Sequence, residues 1–406
     1  MFRKFILICL GTILCRAQPQ LSLKDAVDKA LQSRASLKAD VERVASAEGL
    51  KKQAGLFPNP EFQFQNENLR PGQTYTRDVD TLAMINQQLD VLGKRKQRID
   101  LAGAGVVRAQ AEAELARWQV AQQVKLAYWA ALGSQEVQRV LKKTADDFQK
   151  VVDYHAAQFS QGAIAEQDLL RVRLEGERVK IAADLAFIEV NRARLELLKE
   201  MGQTDFSEVV LTEPLDFDSR FMPLSVEQAL AQRIEIKVAR AALEQAKTNV
   251  KLQDFAARPD LNVTAGYKRT QLPDTTNGVN TAIVSLRITL PTADKNQGNR
   301  IAAEAEVRRQ QQLLASVETE IRADYAAALQ EYESRRTEFT NALAPLREHA
   351  ANIASIAAAA YAEGGTDLLR LLDAERTRVD AELAWARGMV EYRQSIVRLE
   401  AAEGVN

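Results

Sequence analysis

The sequence predicts a mainly α chain with a small β part, built as an internally duplicated set of long helices with two strands in each copy. Three observations predict it. Stations along the chain recur at a constant offset of 199 residues: Leu37-Lys38 returns as Ile236-Lys237, Pro60-Glu61-Phe62 as Pro259-Asp260-Leu261, Leu89 and Val91 as Ile288 and Leu290, and Asp168-Leu169-Leu170-Arg171 as Asp367-Leu368-Leu369-Arg370. Register kept over so long a span means two copies of one structural unit. Glycine and proline are sparse, 18 and 10 in 406 residues, while Ala, Gln, Glu and Arg are abundant, as long helices require. Four segments alternate apolar and polar residues with a period of two, the signature of strands.

The elements follow in order. Residues 1–17 read as an export signal: Phe2-Arg3-Lys4 is a positive start, an apolar run covers 5–14, and Cys15-Arg16-Ala17 ends it. As a membrane anchor the run is far below the ~20 residues a spanning helix needs. Lipidation of Cys15 is the other reading, against which stands the large Leu14. Cleavage after Ala17 removes both cysteines, Cys9 and Cys15, so the mature chain has no disulfide. The first copy occupies 18–205. Ser22 opens a helix running to about 56, where Pro58-Asn59-Pro60 stops it. Strands over 62–69 and 81–91 are joined by a polar loop with Pro71-Gly72. After Gly93-Lys94-Arg95 a proline-free helical pattern continues to about 159, Gly162 breaks it, and a further helix covers 166–201 before Gly202. A linker with Pro214 and Pro223 fills 206–224. The second copy, 225–406, repeats the plan: a helix from Ser225 to Pro259, strands over 261–268 and 280–290, a long helix over 296–362 broken by Gly364-Gly365, and a last helix ending before Gly404. A helix of about 65 residues reaches roughly 100 Å, which two helices of about 35 match only when stacked end to end.

Composition excludes several function classes. With 54 basic and 55 acidic residues no strongly basic face is implied, so nucleic acid is not a partner. The two histidines, His155 and His349, have no ligand-type neighbours at metal-site spacing and read as surface helix residues. No nucleophile–base pair, phosphate loop or metal cluster stands out: the chain reads as a non-enzyme with no catalytic residue, cofactor or metal.

The strands decide the class. In the fourth, Ala282, Val284, Leu286, Ile288 and Leu290 fall on one face, and Ile283, Ser285, Arg287 and Thr289 on the other. The other three have the same phase, with Gln87 the exception in the second. Such segments are close to the ~9 to 11 residues a transmembrane strand needs. One reading is four edge strands capping a soluble helical rod. The other is apolar side chains facing lipid and polar ones facing water. In a bilayer every backbone N–H and C=O must be paired, so an open four-stranded sheet must borrow strands from copies of itself. Two copies make eight strands, whose interior side chains fill; three make twelve and leave a water-filled pore.

At this point the chain resembles the TolC-type outer-membrane efflux family over essentially its whole mature length. The resemblance rests on the doubled helix–hairpin–helix plan, the Pro58-Asn59-Pro60 exit, the Gly93-Lys94-Arg95 return, and two tips: Phe159-Ser160-Gln161-Gly162 before Asp168-Leu169-Leu170, and Tyr361-Ala362-Glu363-Gly364 before Asp367-Leu368-Leu369. Leu372-Asp373-Ala374 resembles the family's Leu-Asp-Ala after the second tip. The resemblance implies a homotrimer with a twelve-stranded barrel in outer-membrane lipid and a helical barrel across the periplasm, joined by a periplasmic adaptor to an inner-membrane pump. The Pro-Asn-Pro entry is most similar to the branch serving cobalt-zinc-cadmium type efflux. The other readings are a secreted coiled-coil scaffold or adaptor without a pore, and a duct for type I protein secretion.

Two sets of site residues are implied by the resemblance. Gly162 and Ala163 at one tip, and Gly364 and Gly365 at the other, are turn residues that also dock the adaptor. Asp373, with Arg370 as partner one helical turn away, forms a closable constriction, although Arg370 stands where the family commonly has an acidic residue.

Overall fold

A computed structural model of the chain describes residues 20–71, 79–218, 220–271 and 278–405. The expected export signal with Cys9 and Cys15, and Gly72 of the first hairpin loop, lie outside them. The chain divides into two compact units, each drawing on both copies: one takes the described residues of 1–35, 118–225 and 325–406, the other those of 36–117 and 226–324.

The second of these units contains the sheet. Helix α2 (Ala35–Ala54, from its second residue on) leads to β2 (Glu61–Glu67) and β3 (Asp80–Leu89), after which the start of α3 (Lys94–Ser160) begins. The second copy adds α5 (Val226–Gln232), α6 (Ile234–Ala256), β5 (Leu261–Thr270), β6 (Val279–Ile288) and the first part of α7 (Gln297–Glu338). The four strands form one antiparallel sheet in the order β2-β3-β5-β6. The two copies therefore meet along β3 and β5. Helices in this unit are tied by ion pairs such as Arg43–Glu112 and Lys237–Glu114, both 3.3 Å, and Arg300–Asp254 at 2.7 Å. Exposed pairs of this kind add little each.

The other unit is helical: α1 (Leu23–Ser33), the rest of α3, α4 (Glu166–Glu200), the rest of α7, α8 (Ala344–Ala362) and α9 (Leu368–Glu403). Ser22 caps α1, its hydroxyl accepting the Asp25 N–H at 3.1 Å. Within it, Gly133 lies against Val390 and Gly388 against Leu343 so closely that an added Cβ would come within 2.3 Å and 2.1 Å of those side chains.

Four expectations need correction. The first helix of each copy is not continuous: Arg34 (φ −62°, ψ 120°) separates α1 from α2, and Arg233 (φ −62°, ψ 125°), 199 positions on, separates α5 from α6. The cause at Arg34 is tertiary. Gly202, two residues after α4, sits with φ +68° so close that a Cβ there would be 2.9 Å from Arg34 Cα. Arg34 in turn donates to Glu200 O and Oε2 at 2.9 and 3.0 Å. Second, the linker holds a strand, β4 (Val210–Leu211), paired in parallel with β1 (Gln20–Leu21). Third, the second long helix is interrupted by a π turn at Phe339–Leu343, where Ala344 N–H reaches back to Phe339 O just before Pro345, which has no N–H to donate. Fourth, His155 is not on the surface but 1% exposed, whereas His349 is exposed.

Candidate functional site

The sheet's registers place most apolar side chains of the four strands on one face, with Leu82, Met84, Val279 and Ile283 on the other. Phe62, Ile85, Ala265 and Val284 stand side by side, and Phe64, Ala83, Tyr267 and Ala282 form the next row. Toward the helices follow Gln87, Val263 and Leu286, then Leu89, Leu261 and Ile288. Among the described residues nothing covers the middle of this face: Phe62 is 70% and Val284 80% exposed. Away from the helices the band ends at a polar row of Asn66, Thr81, Arg269 and Asn280.

The opposite face is polar and knitted across strands. Asn86 donates to Gln63 Oε1 at 3.3 Å and accepts from Thr264 Oγ1 at 2.6 Å, while Lys268 pairs with Asp80 at 2.7 Å. Gln87, the polar exception on the apolar face, turns its amide to Pro58 O and Gln88 O at 3.0 and 2.9 Å. Met84 is an apolar exception on the polar face. It lies across Gly266, where a Cβ would come within 2.6 Å of Met84 Cγ. Strands β2 and β6 are the two edges of the sheet. In hydrocarbon their outward N–H and C=O groups need partners from another strand.

Both hairpin tips lie in the helical unit and share one geometry. Gly162 (φ +70°) and Gly364 (φ +73°) follow α3 and α8 in the left-handed region. At the first, the Gly162 N–H bonds Phe159 O at 2.9 Å and the Ala163 N–H bonds Gln158 O at 3.0 Å. At the second, the Gly364 N–H bonds Tyr361 O at 3.1 Å and the Gly365 N–H bonds Ala360 O at 2.8 Å. Each is a complete Schellman cap. An added Cβ at Gly162 or Gly364 would meet nothing within 4 Å, so both glycines serve the backbone and leave open surface around them. Gly162, Ala163, Gly364 and Gly365 are all exposed.

The two tips differ after the turn. Asp367 is the N-cap of α9, its carboxylate accepting the Arg370 N–H at 2.9 Å, whereas its sequence counterpart Asp168 lies inside α4. Arg370 and Asp373 are both exposed on the first turns of α9, and among the ion pairs of the described residues none joins them. The nearest pairs on this helix join Arg378 to Glu375 and Glu382 instead.

Sequence reasoning missed the link behind the tips. His155 Nδ1 lies 2.8 Å from Val151 O and Nε2 lies 2.9 Å from Tyr361 Oη, with the rings stacked 6.1 Å apart. Because a carbonyl only accepts, Nδ1 carries a proton, and in the neutral ring Nε2 then accepts from the tyrosine. Burial raises the Tyr361 hydroxyl above its ordinary value, with Tyr154 and Asp168 adding to the effect. A signal existed: Phe148, Val151, His155 and Phe159 share one helix face at spacings of three and four. Among the described residues no three His, Cys, Asp or Glu side chains gather where a metal ion could bind, and no helix is long and apolar enough to cross a membrane.

A two-faced antiparallel sheet with open edges, continued by helices far longer than one core needs, defines a protomer of an outer-membrane channel. The chain belongs to the outer membrane efflux protein family, whose model matches residues 26–203 and again 225–405. It is an efflux channel component of the outer membrane that extends into the periplasm. It is similar to the cobalt-zinc-cadmium resistance protein CzcC of Cupriavidus metallidurans, 28% identical over 95% of this chain and 90% of that one. Among solved structures it shares the fold of the outer-membrane channel OprN (TM-score 0.75, 20% identical, 95% of this chain and 90% of that chain) and of CusC (0.76, 19%, 95% and 92%). The open-state MtrE channel of Neisseria gonorrhoeae is as similar, at TM-score 0.76 and 20% identity over 94% of this chain and 89% of that one.

Proposed function

We propose that three copies of this chain form a passive duct for metal cations, delivered by an inner-membrane pump through a periplasmic adaptor. The observation that carries the reading is the sheet with one apolar face, one polar face and two open edges. If β2 of each protomer pairs with β6 of the next, three sheets of four strands close into twelve, every backbone group is satisfied, and the polar face lines water. The metal assignment is supported by the likeness to a cobalt-zinc-cadmium resistance protein. The two tips, near-equivalent in backbone, present the exposed surface that an adaptor would grip. Asp373, three to a ring, narrows the periplasmic end, with Arg370 beside it.

Deleting the gene in its host should sensitise cells to cobalt, zinc or cadmium, and the wild-type gene should restore resistance. A Gly364→Trp protein should form trimers and still fail to restore it; restored resistance would remove the tips from adaptor docking. In planar bilayers Asp373→Ala should raise conductance, and unchanged conductance and ion selectivity would remove Asp373 from the gate.

A further inference from the structure

We propose that a cleft in the helical unit is a binding site for an amphiphile with an anionic head and a short hydrocarbon tail. The cleft, about 480 Å³, lies between α3, α8 and α9, a size in the range of small-molecule sites. On α8 its wall is formed by Arg347 and Ala358, the small alanine leaving room that a larger side chain would fill.

The lining changes from end to end, with Val140 and Glu382 also at the cationic end and Thr144, Asp147 and Glu375 between the ends. Away from the tips stand Arg139, Lys143, Arg347 and Arg378. Toward the tips stand Phe148, Val151, Ala358, Leu371 and Leu372. All three helices agree on this direction, since α3 and α8 run toward the tips and α9 runs away from them. The carboxylates of the wall are already engaged: Glu375 and Glu382 hold Arg378 at 2.8 and 3.3 Å, and Asp147 holds Lys150 at 2.8 Å. Arg139 is held by Glu136 at 2.6 Å. Lys143 and Arg347 have no carboxylate among the ion pairs of the described residues, although Lys143 is near enough to Asp147, one turn on, to help lower its carboxyl; the Arg347 guanidinium lies over the Trp385 ring at 4.2 Å. Two cations therefore remain for the head of a ligand, and a carboxylate or sulfate between them would make charge-assisted bonds. A tail over Phe148, Val151 and Leu372 would remove apolar surface from water on both partners. A cationic head is repelled, and a neutral one forgoes the charge-assisted bonds.

Leu371 and Leu372 belong to the first turns of α9 and directly precede Asp373. A seated tail joins those turns to α3 and α8 and holds α9 in the position seen here. This consequence rests on the gate reading above; the binding site itself does not.

The test uses the full-length protein in amphipol and decanoate bearing a diazirine at its tail end. Photolysis should place adducts on the segments around Phe148–Val151 and Leu371–Leu372. Ala358→Trp, an exposed position, should fill the tail end and remove the adducts with the melting temperature unchanged. Unlabelled decanoate should compete, decanol should not, and Lys143→Gln with Arg347→Gln should weaken the competition about tenfold. Equal competition by decanol, adducts elsewhere, or full labelling of Ala358→Trp would overturn the site. If that variant does not fold, the decanoate–decanol contrast on the wild type decides alone. Conductance separates the two proposals: a protein that conducts and is not labelled loses only the ligand site, while one that is labelled and does not conduct loses only the channel reading.

Discussion

The two long helices of the duplicated chain solve the same task differently. In the first copy α3 runs 67 residues without interruption. Its counterpart is α7, a five-residue π turn and α8, and the break falls where the connecting segment 206–224 is packed. Phe217 of that segment stacks on Phe339 in the π turn at 5.5 Å and on Tyr392 at 4.9 Å, and Phe221 meets Tyr332 at 5.2 Å. On the first-copy side the same segment is held by polar bonds. Tyr128 Oη donates to Leu21 O at 2.9 Å and accepts the N–H groups of Thr212 and Glu213, both at 3.3 Å. Gln135 bonds both backbone groups of Leu211, at 3.2 and 3.3 Å. The duplication repeats which elements exist; how each copy is tied to the connecting segment is set by the side chains met locally, polar bonds alone around Tyr128 and Gln135, and aromatic stacking added to polar bonds around Tyr392.

The sharpest way to break the second copy's arrangement is at Gly388, where a Cβ would be 2.1 Å from Leu343 in the π turn. Gly388→Leu should destabilise the helical unit by about 3 kcal/mol through overpacking. Thermal unfolding of the purified protein measures it, and adding Leu343→Ala should recover most of the loss. An unchanged melting temperature would show that the π turn yields at no cost.

The same contrast explains what could be read in advance. The helix stops at Gly162, Gly202, Gly364 and Gly404 were legible because a Schellman cap is a local structure with a glycine at its centre. The face of each strand was legible because alternation is local too, and Gln87 broke it for a reason, its contact with Pro58, that only the fold reveals. The breaks at Arg34 and Arg233 were not legible, since no glycine or proline stands at either and the first packs against Gly202 from far along the chain. His155 was read as a surface residue because its partner Tyr361 is 206 residues away. Of the site, the tips followed from sequence; the lack of an Arg370–Asp373 pair did not, because spacing brings two residues to one helix face without deciding which neighbours their charges meet.

A finer cut compares two of the buried tyrosines, Tyr128 and Tyr392, both 0% exposed. Tyr128→Phe removes three bonds; Leu21 O and the Thr212 N–H keep their bond to each other at 3.3 Å, the Glu213 N–H loses its partner, and the change should cost roughly 2 kcal/mol. Tyr392 Oη donates to Asp218 O at 2.7 Å, and its ring keeps its stacking in phenylalanine, so Tyr392→Phe should cost about 1 kcal/mol. Chemical unfolding of the two variants side by side gives the difference; equal losses would mean the polar anchor of the first copy is no stronger than a single bond.

The smallest effect is expected at the end of α9, where Glu403 is 2% exposed and accepts the Leu224 N–H at 2.7 Å. Burial raises its carboxyl above the ordinary 4.5, the nearby Glu400 adds to this, and the Leu224 bond opposes it. The folded chain therefore holds this proton more tightly than the unfolded one, so the group's contribution to stability falls as pH rises from 4.5 through the folded value. Above that value the buried charge exerts its full penalty. Glu403→Gln keeps an acceptor for Leu224 and removes the charge. It should raise the melting temperature slightly at neutral pH, with the gain shrinking as pH falls toward 4.5. A gain independent of pH would assign it to packing rather than to ionisation, and would leave the join between α9 and the connecting segment without an electrostatic component at this residue.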